Sequence, residues 1–381
     1  MTTLRIIIDQ ILAPVPGGIG RYAEELTRAL IESAPPGCFV EGIVSSSTDA
    51  QYAELERKLP GLSHLYKSAL ARRELSAAWQ HGFTRLPGKG MVHATSLLAP
   101  LSRHDRLNGT GNTEQIAVTI HDVVPWTHPE TLTPHGASWH KAMAKRAYRF
   151  ADAVVVPTHA VAGQLAEIFD FGERVRVIGS AVSPKLALPA DADARAEALE
   201  LPERFILAVG TLEPRKALEP LIRSLASPES SDLPLLIVGP AGWGDVDVAS
   251  IAADAGLAAD RVRPLGYLSD ADLSVALDRA TVFVMPSLAE GFGLPIIEAF
   301  SFGTPVVHSD DPALVEVAGE AGVVVQRADA AGYPERLAVA IASVTSDDGY
   351  AARLGQFGLD RAHLFSWRNS AEKVWQLHAD L

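Results

Sequence analysis

Short apolar runs recur along the chain, and most are followed by a stretch in which apolar residues return every three or four positions. The short runs predict buried strands and the longer spacing predicts amphipathic helices; strands alternating with helices make a mostly parallel sheet. The first half predicts strands at 4–9, 40–44, 91–94, 117–121 and 154–157. Helices are expected from near Arg21, with Tyr22, Leu26, Ala29 and Leu30 on one face, and over roughly 50–59, 67–80, 138–150 and 160–169. The segments 88–96 and 103–115, rich in glycine and polar residues, carry loop signals. The pattern breaks around 180–189 and then restarts, with strands at 205–209, 235–238, 262–265, 282–285, 306–308 and 323–325 and a helical tail over 360–381. No short-period repeat is visible. The fold class this implies is α/β: two Rossmann-like domains facing across a cleft, over 1–183 and 184–358, followed by a C-terminal helix in 359–381.

Composition narrows the class. A chain of 381 residues that is 48% hydrophobic can fill two full-sized cores. No apolar run reaches the roughly 18 residues of a membrane span, and MTTLRIIIDQ lacks the charged-then-apolar order of a signal peptide. Cys38 is the one cysteine, so no intrachain disulfide can form, which fits a reducing cytoplasm as the expected location. Residues 1–180 carry 18 Lys and Arg against 17 Asp and Glu, whereas the remainder carries 15 against 29. Nucleic acid is therefore not an expected partner, although a local basic surface on the first half stays open.

The candidate chemistry gathers at PSLAEGFGLPIIEA, residues 286–299, which joins a buried strand to a helix opened by Pro295 and closed by Gly303. Glu290 is expected just before that helix and Glu298 in its first turn. A helix start preceded by Gly291 and Gly293 offers unpaired N–H groups to an anion such as a diphosphate. Carboxylates beside it can accept hydrogen bonds from hydroxyls, two at once from a vicinal diol. The function-free alternatives are a glutamate serving the helix dipole and a solvated loop carboxylate. Upstream, GTLEPRK places Arg215 and Lys216 where a helix is expected to start, opposing its dipole unless an anion lies between them. On a leaving diphosphate these cations would stabilise developing charge without a metal.

The Asp-x-Asp strings Asp191–Asp193, Asp245–Asp247 and Asp270–Asp272 fall in the inter-domain segment, after a glycine loop and at a helix cap, and His121, His128, His135 and His140 share no predicted helix. No metal site and no resident cofactor are expected. Gly17-Gly18-Ile19-Gly20 fits neither the P-loop nor the dinucleotide fingerprint, so an ATPase or dehydrogenase is disfavoured.

The string E-G-F-G-L-P-x-x-E resembles the Glu-x7-Glu signature of the retaining group 1 (family 4) glycosyltransferases, which have the GT-B fold. The resemblance extends from D-x6-P-G-G-I-G-R-Y near the start to R-A-x2-F-S-W near the end. It implies that Glu298 binds the donor ribose and Glu290 lies at the donor sugar, within a donor set of Gly291, Phe292, Gly293 and Leu294. Gly210, Thr211, Arg215 and Lys216 fall in the family's phosphate-binding segment, and Gly17 and Gly18 in the loop that approaches the phosphates. I-H-D-x-x-P places His121 beside the donor sugar, with Asp122 orienting it or binding acceptor. In enzymes of this fold the C-terminal tail crosses back to the first domain. Substitution is expected on the same face of the sugar, with the leaving phosphate oxygen taking the acceptor's proton. Two positions depart from the family: Ala217 stands where relatives carry asparagine, and Gly179-Ser180-Ala181-Val182 replaces Asn-Gly-Val, so no contact is carried over from either asparagine.

The expected reaction is transfer of a hexose, first of all mannose from GDP-mannose, to a glycan or lipid-linked acceptor in bacterial cell-envelope polysaccharide assembly. Alternatives from other classes are a nucleotide-sugar-binding protein without turnover and a phosphorylase-like enzyme; the latter needs a Schiff-base lysine for pyridoxal phosphate, and no candidate stands out. A glycosidase would also use paired carboxylates but needs no anion site like Arg215-Lys216. On the acceptor side, Lys141, Lys145 and Arg149 recur every four residues, with Arg146 beside them, opposite Met143, Ala147 and Phe150. With Arg57, Lys58, Lys67, Arg72 and Arg73 nearby in sequence, this stripe suggests peripheral contact with the inner membrane face or an anionic acceptor; a solvated helix face is the plain alternative.

Overall fold

The computed structural model describes residues 2–13, 17–83, 90–104, 115–242, 244 and 246–381. Two compact units are present: Met1–Thr127, Pro134–Ser180 and Ser366–Leu381 in the first, His128–Thr133 and Ala181–Phe365 in the second. In the first unit the strands β1 (Thr2–Ile7), β2 (Cys38–Ser46), β3 (His64–Ala71), β4 (Met91–Ala94), β5 (Gln115–Thr119), β6 (Ala153–Val156) and β7 (Val175–Val177) pair in the order β3-β2-β1-β4-β5-β6-β7. In the second, β8 (Ile206–Val209), β9 (Leu235–Val238), β10 (Val262–Gly266), β11 (Val282–Met285), β12 (Val306–Ser309) and β13 (Gly322–Val325) pair in the order β10-β9-β8-β11-β12-β13. Every pairing is parallel. Because helices cover both faces of such sheets, inner strands read as unbroken apolar runs. AVVV in β6, LLIV in β9 and VFVM in β11 are buried at every position.

Strand order also fixes where chemistry can sit. The strand order of each sheet reverses at one pair of strands, β1 and β4 in the first and β8 and β11 in the second, and a crevice opens beyond the carboxyl ends of such a pair. In the second unit the loops leaving β8 and β11 are thus neighbours, although about 75 residues separate them in the chain.

Three expectations change. Residues 67–80 are not one helix: β3 runs to Ala71, and the helix spans Arg72–His81. HLYKSALA lacks the β-branched residues that signal a strand, and the segment becomes one by pairing as an edge with β2 from Glu41↔His64 onward. Strand β7, also on an edge, was not expected. The first helix starts at Gly17 rather than near Arg21, so the glycines form its first turn. Asp9–Leu12 is a 3-10 turn, and Pro14, Val15 and Pro16 of the intervening loop, residues 84–89, 105–114 of the polar insert, and Asp245 lie outside the described residues.

The tail divides between the units. Helix Asp348–Ala362 belongs to the second, whereas Trp367–Asp380, capped by Ser366, belongs to the first. Its buried face includes Ala371, Val374 and Leu377, and it packs on the helix Gly17–Glu32. Trp375 Nε1 donates to Leu30 O at 3.2 Å and Ser370 Oγ to Gly179 O at 2.7 Å.

Candidate functional site

In the second unit, the loop after β8 folds into a 3-10 turn, Pro214–Lys216, and Ala217 then takes a left-handed conformation (φ 51°) before the helix Leu218–Ser224. Arg215 and Lys216 therefore precede the helix instead of opening it, and the opposed dipole inferred from sequence does not arise. An anion does lie between them, and it is Glu290. Lys216 Nζ is 2.6 Å from Glu290 Oε1 and Arg215 Nη1 is 2.8 Å from Oε2. The lysine arm crosses Gly210, where a Cβ would stand 3.2 Å from Lys216 Cε, so the small residue lets the ammonium reach. Burial alone would raise the Glu290 pKa, but the charges of Arg215 and Lys216 outweigh it and hold the group at about 2. Glu290 is a carboxylate throughout the physiological range, which suits accepting hydrogen bonds and excludes service as a general acid at neutral pH.

The helix that follows, Leu294–Phe300, begins at its cap Gly293 with φ 90°, and a Cβ there would lie 2.5 Å from Leu314 Cδ2. Only glycine satisfies both demands. Since Leu294, not Pro295, is the first helical residue, Glu298 lies past the first turn, and the helix-dipole account of it loses force. Glu298 is 1% exposed in a helix whose Ile296, Ile297, Ala299 and Phe300 are also buried. Phe292 is 8% exposed and packs edge-on against Phe365 at 5.6 Å, so its ring belongs to the core. Gly291 and Gly293 flank it. Thr211 sits on the same loop as Gly210, directly after β8.

Sequence reading missed four charged neighbours. Glu213 Oε1 is 2.7 Å from Arg215 Nη2. Arg327, two residues past β13, is 2.6 Å from Asp310 Oδ1 through Nε and 3.9 Å from Asp311 Oδ2 through Nη1. Asp311 caps the helix Pro312–Ala318 by accepting from Ala313 N and Leu314 N. Burial pushes its pKa up to about 6, opposed by Arg327 and reinforced by the Glu290 charge. Asp311-Pro312 is a readable cap signal, but nothing in the sequence around Arg327 announced its role.

In the first unit, Gly17 and Gly18 stand at the helix start and Tyr22, one turn on, meets His121 edge-on at 4.9 Å. His121 Nε2 is 2.8 Å from Thr95 O; a carbonyl only accepts, so Nε2 carries the proton and Nδ1 is left as an acceptor. Burial lowers its pKa, so the ring is neutral at pH 7. Asp122 Oδ1 accepts from Val124 N at 3.0 Å, a turn cap in place of the orienting bond expected toward His121. Asp9 accepts from Ser45 N at 2.8 Å and faces Arg72 at 3.4 Å, which ties the turn after β1 to β2 and to the helix Arg72–His81.

Asp191 and Asp272 both hold Arg195, Asp193 pairs with Arg279, and Asp247 caps a helix. On the helix Pro134–Phe150, Lys141, Lys145 and Arg149 are exposed on one side as expected, and Met143 and Ala147 are buried on the other. Arg146 leaves the stripe: it donates to Leu101 O and lies over the Phe150 ring at 5.2 Å. Lys58 pairs with Glu54, Lys67 covers the Tyr52 ring at 4.3 Å, and Arg72 reaches Asp9, so much of the remaining basic excess is spent internally.

Family comparison assigns the chain. The family described as "Glycosyl transferases group 1" matches residues 190–361, and "Glycosyltransferase Family 4" matches residues 16–186. The O-antigen chain mannosyltransferase B of Escherichia coli is 30% identical over 269 residues, covering 67% of this chain and 68% of that protein. This chain belongs to the group 1, family 4 glycosyltransferases. The MMP alpha-(1->4)-mannosyltransferase of Mycolicibacterium hassiacum is 27% identical across 94% of this glycosyltransferase and 93% of its own length. The serotype-specific mannosyltransferase WbdA of Escherichia coli is 25% identical, but the match covers only 45% of its length. Among solved structures, sucrose-phosphate synthase from Thermosynechococcus elongatus superposes over 100% of this chain and 99% of its own with TM-score 0.74 at 22% identity. Anabaena Alr3699/HepE, in complex with UDP-glucose, covers 100% of both chains with TM-score 0.73 at 18% identity. The fold of the glycosyltransferase is thus GT-B.

Proposed function

We propose that this glycosyltransferase moves mannose from GDP-mannose, with retention, to a glycan or lipid-linked acceptor of surface-polysaccharide assembly. The observation that carries the donor reading is the convergence of Arg215 and Lys216 on the Glu290 carboxylate beside the helix start at Gly293. A guanidinium and an ammonium that already hold one buried anion are the groups to meet the charge growing on a departing diphosphate. Glu290, kept ionised, accepts from sugar hydroxyls; Glu298, buried in the helix Leu294–Phe300 that follows, accepts from the ribose diol. In the first unit, His121, neutral and tied through Nε2, offers Nδ1 to a sugar hydroxyl, and Gly17 and Gly18 at the start of their helix offer amides to a phosphate. Mannose rests on the names of the three relatives, whereas the UDP-glucose bound to Alr3699/HepE makes UDP-glucose the rival donor to test.

The exposed Lys141, Lys145 and Arg149 stripe is assigned to an anionic partner at the membrane face, where the lipid-linked acceptor resides. Among the described residues no helix is long and apolar enough to cross a membrane, so contact of this kind would be peripheral. A panel of nucleotide sugars, scored by thermal shift and by nucleotide release with excess chelator present throughout, tests the reading. Stabilisation and release with GDP-mannose above all others are expected. Release only from a different donor overturns the mannose assignment, and strict dependence on added divalent metal overturns the role given to the two cations.

A further inference from the structure

The loop that carries Glu290 leaves β11 through four residues, Pro286, Ser287, Leu288 and Ala289, whose carbonyls are each held by a different side chain. Tyr333 OH donates to Pro286 O at 2.8 Å, and Ser309 Oγ donates to Ser287 O at 2.6 Å. Arg327 Nη1 donates to Leu288 O, and Arg215 Nη1 donates to Ala289 O at 2.8 Å. The donors come from the first residue of the helix Tyr333–Thr345, the last residue of β12, the segment after β13 and the turn after β8. Leu288 N returns a bond to Arg215 O at 2.8 Å, so the phosphate-binding turn and the Glu290 loop are joined along the backbone as well. Buried carbonyls must find donors, and water or one neighbouring strand commonly supplies them. Here each carbonyl is indexed to a separate element of the sheet.

We propose that Tyr333, Ser309 and Arg327, with Arg215, are positioning residues that set the place of the Glu290 carboxylate against the donor; this rests on the donor-site reading of Glu290 given above. A displacement of about 1 Å in a group that must meet a reacting centre can lower turnover a hundredfold while leaving binding nearly intact. Tyr333→Phe and Ser309→Ala each remove one donor atom with little change in shape. Donor turnover is read as nucleotide released from GDP-mannose, or from UDP-glucose where that is what the wild type consumes. Each variant is expected to lower kcat about tenfold or more with donor KM within about twofold. Amide hydrogen exchange over residues 288–293 should quicken while the β8–β11 core keeps its protection. In a Glu290→Gln background the same substitutions should cost nothing further, because their effect passes through that carboxylate. Wild-type kcat in both variants, or losses that multiply with Glu290→Gln, overturns the clamp. Full activity of Glu290→Gln alone instead overturns the role of Glu290, and the two failures are told apart by that single variant.

Discussion

Replacing Asp311 by asparagine is expected to stabilise the second unit at neutral pH and to flatten its acid profile. Around the junction of the loops after β8 and β11, Arg215, Lys216 and Arg327 face four carboxylates, Glu213, Glu290, Asp310 and Asp311, and Asp311 is the one whose environment opposes its charge. It is 3% exposed, and burial raises its pKa from 3.8 to about 6. At about 1.4 kcal/mol per pH unit, that difference means the folded state is penalised by up to about 3 kcal/mol once the group is charged. The folded protein holds the proton more tightly, so this stability is complete below about 3.8 and is lost as pH rises through about 6. Glu290 works the other way: its contribution is complete above about 4.5, falls only toward pH 2, and is constant across the window of interest. Asparagine can keep both cap bonds, to Ala313 N at 3.0 Å and Leu314 N at 3.3 Å, while its amide nitrogen turns toward Arg327 less favourably than a carboxylate oxygen did. With that offset, a gain of about 1–2 kcal/mol at pH 7.5 is expected, shrinking to nothing or reversing near pH 4.5. Urea denaturation of wild type and variant at pH 4.5, 6 and 7.5, followed by circular dichroism, measures the difference directly. A variant less stable than wild type at pH 7.5, with a difference that does not change with pH, would refute the reasoning.

Ala217→Gly should raise the denaturation midpoint of the second unit by the equivalent of about 1 kcal/mol, since an L-residue is held at φ 51° there; an unchanged or lower midpoint would show that the strain is already relieved. Glu298→Gln keeps the shape of a buried side chain and removes its charge, so donor affinity should fall by about 1.5–3 kcal/mol for each charge-assisted hydrogen bond lost, and titration calorimetry showing affinity within twofold of wild type would exclude the ribose role. Arg215→Ala and Lys216→Ala are expected to depress kcat more than donor affinity, because their charge matters most as the leaving group forms; steady-state kinetics confined to a KM change would contradict this. Simultaneous alanine substitution of Lys141, Lys145 and Arg149 should abolish salt-sensitive co-sedimentation with anionic vesicles, whereas equal, salt-insensitive partitioning of both proteins on anionic and neutral vesicles would remove the membrane assignment.

Local sequence sufficed wherever one segment decides its own state. The apolar runs of β9 and β11 lie at the residues expected, because a strand buried on both faces needs only its own side chains to be recognised. Ser269 caps its helix by accepting from Asp272 N, as the segment around Asp270–Asp272 announces, and Glu-x7-Glu with its glycines is legible as one continuous string. Edge strand β3 was not legible, since HLYKSALA owes its extended form to β2 and not to its own propensity. The glycines at 17–20 read as a loop because their low helix propensity says nothing of the packing that winds them into a first turn. Pairing of Arg215 and Lys216 with Glu290 depends on β8 lying beside β11, a fact of strand order that no stretch of either loop contains. The same holds for Tyr333, Ser309 and Arg327: with Arg215, each meets a carbonyl of the loop before Glu290 only in the folded unit, and the pKa values of Glu290 and Asp311 follow from that assembly because burial and neighbouring charge exist only there.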